Sequence, residues 1–134
     1  MTWAPTPADS PYARVGGREP TVALAEAFYD VMEESEPALA KLHPLDEHGK
    51  ITRGARDRFA LFLVGWLGGP QDYMEKHGHP RLRMRHGRVP VSEPMRDAWI
   101  RCMHTAMIQR NLDPEVRVYL EARFAEVATF LRNA

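Results

Sequence analysis

The spacing of apolar residues along this chain reads as a succession of helices. Pro20, well placed in a first helical turn because its missing N–H has no partner to lose, opens the run TVALAEAFYDVMEES. Ala25, Tyr29 and Met32 share one stripe, and Leu24, Phe28 and Val31 form the next. Two adjacent stripes make an apolar arc too wide for a single contact, so this helix is expected to be buried on more than one side. Glu36 to Lys41 predicts one further short turn, stopped by His43-Pro44. In ITRGARDRFALFLVGW, the residues Ala55, Phe59, Phe62/Leu63 and Trp66 recur at helical spacing. Gly68-Gly69-Pro70 ends that helix. Ser92 is a suitable N-cap, and Met95, Trp99, Cys102/Met103 and Ala106/Met107 line one stripe behind it, closed at Asn111. Asp113-Pro114 begins a last helix whose stripe is Val116, Tyr119/Leu120, Phe124, Val127 and Phe130/Leu131.

No segment alternates as a strand does, and no internal repeat is visible, so the fold class is all-α. Pro11 to Val15 is long enough for one helical turn ended by Gly16-Gly17. Residues 1–10, with Pro5, Pro7 and small polar side chains, read as a flexible, frayed N-terminal arm. Residues 11–134 read as a single domain, the size at which a core forms without disulfides. The least periodic stretch is HPRLRMRHGRVPVS, which carries Pro80, Gly87 and Pro90 between two short-range patterns.

Composition removes several function classes. Eighteen Lys+Arg balance eighteen Asp+Glu, which argues against a global polyanion binder. The single cysteine, Cys102, excludes an internal disulfide and a cysteine-based metal cage. No apolar stretch approaches the roughly 18 residues of a membrane span, and the N-terminus lacks the basic and apolar regions of a secretory signal. The expected compartment is a reducing cytoplasm, with no membrane partner.

Six histidines remain to be placed. A zinc site wants four compactly spaced ligands, and His77-x-His79 without a Cys pair does not supply them. His86 is set differently, between Met84 and Gly87 in a segment stiffened by prolines. It either ends a turn or presents a ligand of the kind a five-coordinate haem iron takes. Arg81, Arg83, Arg85 and Arg88 suit phosphates or carboxylates, but no aromatic residues interleave them for base stacking. Tyr29 and Trp99 each bring a hydrogen-bond donor into an otherwise apolar stripe, either as ordinary core aromatics or as donors to something held in the interior.

Together these residues carry a family resemblance. Tyr12 with Gly16-Gly17, Phe28-Tyr29, Leu42-His43-Pro44, the block WLGGPQDYMEKHGHPRLRMRH from Trp66 to His86, and RDAWIRCMHTAM from Arg96 to Met107 resemble the truncated haemoglobins, specifically their second group. The match covers roughly residues 11–133. The resemblance implies a two-over-two helical sandwich around haem b and its iron. It implies His86 as the proximal iron ligand, and Tyr29, His43 and Trp99 as polar residues on the distal, ligand-binding side. It also implies Phe59 and Phe62 over the haem, and Arg58, Tyr73 and Arg85 near its propionates. Ala55 stands where many globins carry a distal His or Gln, which leaves the polar contacts to the other three. His43 stands where the family more often has Tyr or Phe, and either donates to a ligand or binds the iron itself.

Three donors around a bound gas predict tight binding and slow release. The implied partners are therefore dioxygen and other diatomic gases. The expected role is redox chemistry with nitric oxide, peroxide or nitrite, served by a separate electron-donor reductase, rather than bulk oxygen transport. A haem-based sensor without turnover and a helical nucleic-acid module using Arg81 to Arg88 are the alternatives. Oligomeric state is not legible in the chain.

Overall fold

A computed structural model describes residues 2–78 and 91–131. Seven helices lie within them: α1 (Pro11–Val15), α2 (Arg18–Ser35), α3 (Pro37–Ala40), α4 (Arg53–Trp66), α5 (Asp72–His77), α6 (Glu93–Gln109) and α7 (Pro114–Leu131). Among the described residues the only extended pairings are two isolated bridges, Thr6 with Asp9 and Leu45 with Ile51.

Local chemistry places the helix ends. Ser10 and Thr52 accept from the amides of Ala13 and Ala55 at 3.1 and 3.2 Å. Ser92 accepts from the Met95 amide at 3.3 Å. Each cap satisfies one of the amides that a first turn leaves without an intrahelical partner. Asn111 closes α6 with φ 55°, a left-handed conformation its short polar side chain tolerates better than most. Helix α2 begins two residues before Pro20, because Gly17, at φ 95°, turns the chain back and its carbonyl accepts from the Thr21 amide. Pro20 then falls inside the first turn, where a missing N–H still costs nothing.

The wide apolar arc of α2 has the consequence expected of it. This helix packs on both α4 and α6, and α6 packs on α7. Leu24, Phe28 and Met32 are fully buried, as are Leu63 of α4, Met103 and Met107 of α6 and Leu120 of α7. The corner after α4 is equally tight: a Cβ on Gly69 would lie 2.7 Å from the Tyr12 ring, so that position accepts only glycine without moving α1.

The N-terminal arm, read from sequence as frayed, is anchored by one residue. Trp3 is buried, packs edge-on against Tyr119 of α7 at 5.2 Å, and donates from Nε1 to Asp9 at 3.1 Å. Arg14 covers the Trp3 ring at 5.0 Å and pairs with Asp9. The Arg14 and Trp3 hydrogen bonds hold the Asp9 carboxyl down at about 2. Proline and small-polar content suggests disorder, but one large ring burying its face on α7 supplies an anchor that composition does not register. Phe130 differs in the opposite sense. It lies on the α7 stripe, yet it is exposed, while Leu131 turns inward.

Candidate functional site

The layered helices do not close completely. A cavity of about 590 Å³ remains between α2, α3 and α4 on one side and α6 and α7 on the other, within the range of sites that hold cofactor-sized ligands. Its two walls have different chemistry.

Helix α2 contributes Tyr29, and α4 contributes Ala55, Arg58, Phe59 and Phe62 from successive turns of one face. The Phe28, Tyr29 and Phe59 rings interlock at 5.1–5.5 Å between centroids. Phe62 continues this wall and meets the edge of buried Tyr73 from α5 at 5.8 Å. His43, just after α3, faces Tyr29 edge-on at 5.6 Å. Its Nδ1–H donates to the Leu39 carbonyl at 3.1 Å. A carbonyl only accepts, so in the neutral ring the proton is on Nδ1 and Nε2 keeps its lone pair.

The facing wall is apolar. Trp66, at the end of α4, stacks on Phe124 of α7 at 4.9 Å, and Val127 and Leu131 extend the surface. Trp99 of α6 joins the two walls, 5.1 Å from Phe28 and 5.6 Å from Phe124. Arg58 and Arg96 stand at the margin. Arg96 is bound to Asp97 at 2.7 Å and to Thr129. Arg58 is exposed and pairs with no described carboxylate.

Tyr29, Trp99 and Trp66 each bring an aromatic donor to this cavity. Neither the Tyr29 hydroxyl nor the Trp99 indole N–H meets an acceptor among the described residues. Donors on buried and half-buried rings usually find partners, so a pair that lines the cavity without a described acceptor points to something the cavity receives. Burial raises the Tyr29 phenol pKa well above its ordinary value, which keeps it a proton-bearing donor throughout the physiological range. Cys102, by contrast, is buried away from the cavity lining, its thiol pushed up to about 11 by desolvation, and behaves as a small apolar residue.

Of the sequence-derived candidates, Tyr29, His43, Arg58, Phe59, Phe62, Tyr73 and Trp99 all line this cavity. His86 and Arg85 lie outside the described residues, as do His79, Arg81, Arg83 and Arg88. Sequence reasoning did not anticipate Trp66, Phe124, Val127 and Leu131 as a wall. Their helical stripe was visible, but a stripe that lines a cavity and one that fills a core have the same period. Among the described residues no cluster of His, Cys, Asp and Glu could hold a bare metal ion, and no helix is long and apolar enough to cross a membrane.

Comparison with known proteins bears on the same cavity. Residues 10–133 match the family model of the bacterial-like globins. Over 125 residues the chain is 37% identical to the group 2 truncated haemoglobin YjbI of Bacillus subtilis (strain 168), covering 93% of this chain and 89% of that protein. Among solved structures it resembles the group II 2-on-2 haemoglobin of Agrobacterium tumefaciens, with TM-score 0.84 and 32% identity over 99% of this chain and 98% of that one. It also resembles a truncated oxygen-avid haemoglobin from Bacillus subtilis, with TM-score 0.82 and 35% identity over 92% and 99% of the two chains.

Proposed function

Because the chain belongs to the bacterial-like globin family, as a group II truncated haemoglobin with the two-over-two helical fold, we propose that it binds haem b in this cavity and retains dioxygen tightly for redox chemistry. Membership itself implies haem and diatomic-gas binding. The finer reading rests on one observation, two donors that line an aromatic cavity without a described acceptor, Oη of buried Tyr29 and Nε1 of half-buried Trp99.

The residues present fit the group. Phe59 and Phe62 on one wall and Trp66 and Phe124 on the other give the cavity an aromatic, largely apolar lining. Arg58 and Tyr73 stand where a carboxylate at its margin would find a cation and a hydroxyl. His86, with Arg85 beside it, is proposed as the proximal ligand from its place in the family motif. When bound, haem would supply an iron site for a diatomic gas, whose outer atom the cavity's donors could meet.

The chain's own residues then decide how long the gas stays. Tyr29 donates O–H and Trp99 donates N–H, each worth about 1 kcal/mol net and more in a dry cavity than in water. Because about 1.4 kcal/mol is a factor of ten, two donors slow release by roughly one to two orders of magnitude. His43 complements them differently. With Nδ1–H committed to Leu39, Nε2 of the neutral ring carries no proton to donate. Long retention suits reaction of the bound gas with nitric oxide or peroxide chemistry, fed by a separate reductase in the cytoplasm, better than bulk delivery.

The direct test is spectroscopic. Purified protein should show a haem Soret band, and His86→Ala should lose haem on gel filtration or change its ferrous spectrum. Full haem retention with an unchanged ferrous spectrum in His86→Ala would overturn the assignment and move the ligand to His77 or His79.

A further inference from the structure

Arg56, one residue past the cavity-lining Ala55, points to the other side of α4 and is buried. A buried guanidinium is costly unless fully paired, and here the pairing comes entirely from α2 and the loop before α4. Arg56 donates to Glu33 at 2.7 Å, to Asp30 at 2.9 Å and to Glu26 at 3.1 Å. Its Nε also approaches the Ile51 carbonyl at 3.4 Å. The three carboxylates sit at i, i+4 and i+7 of α2, one stripe of that helix. Glu33 is itself fixed, since it also accepts from the Ile51 amide at 2.7 Å, and Arg53 shares Glu26. Within this clamp the Arg56 guanidinium carbon stands 5.7 Å from the centroid of the Tyr29 ring, inside the range of a cation–π contact.

We propose that Arg56 is the positioning residue for Tyr29, its clamped guanidinium fixing the direction and the donor strength of the hydroxyl that faces the cavity. This rests on the reading of Tyr29 as a distal donor. Tyr29 lies on α2 between Glu26 and Glu33, one helical turn from each, so its ring occupies the gap that the guanidinium spans. The cation acts twice there. Sitting over the ring, it limits the rotations that would swing the hydroxyl away. Its charge also polarises the O–H, and Arg56 lowers the phenol pKa where burial and Glu26 raise it. Without Arg56, the effect of Glu26 on the phenol would go uncompensated, weakening it as a donor. Lysine keeps the charge but, lacking a planar fork, cannot reach the same set of carboxylates.

The test compares Arg56→Met, Arg56→Lys, Tyr29→Phe and the Arg56→Met/Tyr29→Phe double variant with wild type. Two readouts are used. In the haem-loaded protein, the C–O stretching band of the carbon monoxide complex and the ratio of oxygen to carbon monoxide release rates report the donor directly. In haem-free protein, the Tyr29 ring NMR signals, identified by their loss in Tyr29→Phe, report the ring without haem. Arg56→Met should raise the release ratio about fivefold, the scale of one partly solvated cation–π contact. It should also shift the C–O band in the direction of Tyr29→Phe and move the Tyr29 ring signals. Arg56→Lys should fall between Arg56→Met and wild type. In the Tyr29→Phe background Arg56→Met should add less than about twofold, because the two residues act through one group. A folded Arg56→Met with wild-type band, ratio and ring signals overturns the proposal, and so does a full additional effect in the Tyr29→Phe background. Should Arg56→Met not fold, Glu33→Gln carries the test, with a release ratio raised about twofold and shifted ring signals expected, and wild-type values overturning it. A Tyr29→Phe variant whose release ratio equals wild type defeats the distal-donor reading instead, and the haem-free signals then decide separately whether Arg56 orders the ring.

Discussion

The two walls of the cavity were built by similar helices and yet do different things. The wall of α2, α3 and α4 sets polar groups, Tyr29 and His43, into a frame of phenylalanines. The wall of α7 and the end of α4 is Trp66, Phe124, Val127 and Leu131, whose one polar group is the Trp66 indole N–H. The first carries the larger share of the groups that can tell one diatomic molecule from another. An apolar wall binds in proportion to area, whereas a donor discriminates by the charge on the atom it meets. Stability and selectivity are therefore expected to separate by wall.

The largest effect should come from the apolar side. Phe124 is buried and contacts both Trp66 and Trp99, so Phe124→Ala should cost about 3–5 kcal/mol in urea unfolding. The ratio of oxygen to carbon monoxide release should change little, because no donor is lost. A release ratio altered as much as by a donor deletion would show that the division between walls is false.

The donor wall should behave in reverse. Tyr29→Phe removes a hydroxyl that has no described acceptor, so unfolding of the haem-free protein should change by less than about 1 kcal/mol or become more favourable to the fold. Oxygen release should accelerate roughly tenfold, and carbon monoxide release much less, since its outer atom carries less charge. Trp99→Phe should produce a similar oxygen effect with some added packing loss, as Trp99 touches both walls. If the two single substitutions do not add, they belong to one hydrogen-bonded unit. Stopped-flow release of both gases reads all three outcomes. A constant ratio in Trp99→Phe leaves that ring as a steric element only.

The smallest effect sharpens the comparison within the polar wall. His43→Phe should leave oxygen release within about threefold of wild type, because the neutral ring bonded through Nδ1–H to Leu39 has no proton on Nε2 to donate. A ferrous low-spin fraction present in wild type and lost in His43→Phe would show that Nε2 serves as a sixth ligand. A tenfold acceleration of oxygen release would instead require the imidazolium or a ring that has turned.

Much of this organisation was written in the chain. Ser92, Pro114 and Asn111 marked helix ends through local hydrogen bonding and backbone geometry, which depend on near neighbours alone. The two stripes of α2 announced a helix buried on both sides, and the block from Trp66 to His86 with the run from Arg96 to Met107 carried the family. The period of 3.6 residues could not say what each face would meet. Phe124 and Val127 share a stripe with Val116 and Leu120, yet the first two reach a cavity and the last two fill the core. Arg56 and Arg58 are two residues apart and chemically identical. One is buried among three carboxylates and the other stands exposed at the cavity margin. Two residues along a helix is a turn of about 200°, so the sequence itself placed the two arginines on different faces. Only the packing of α4 on α2 decided that one face would meet Glu26, Asp30 and Glu33, because a charge is stable in the interior only where another element brings its partners.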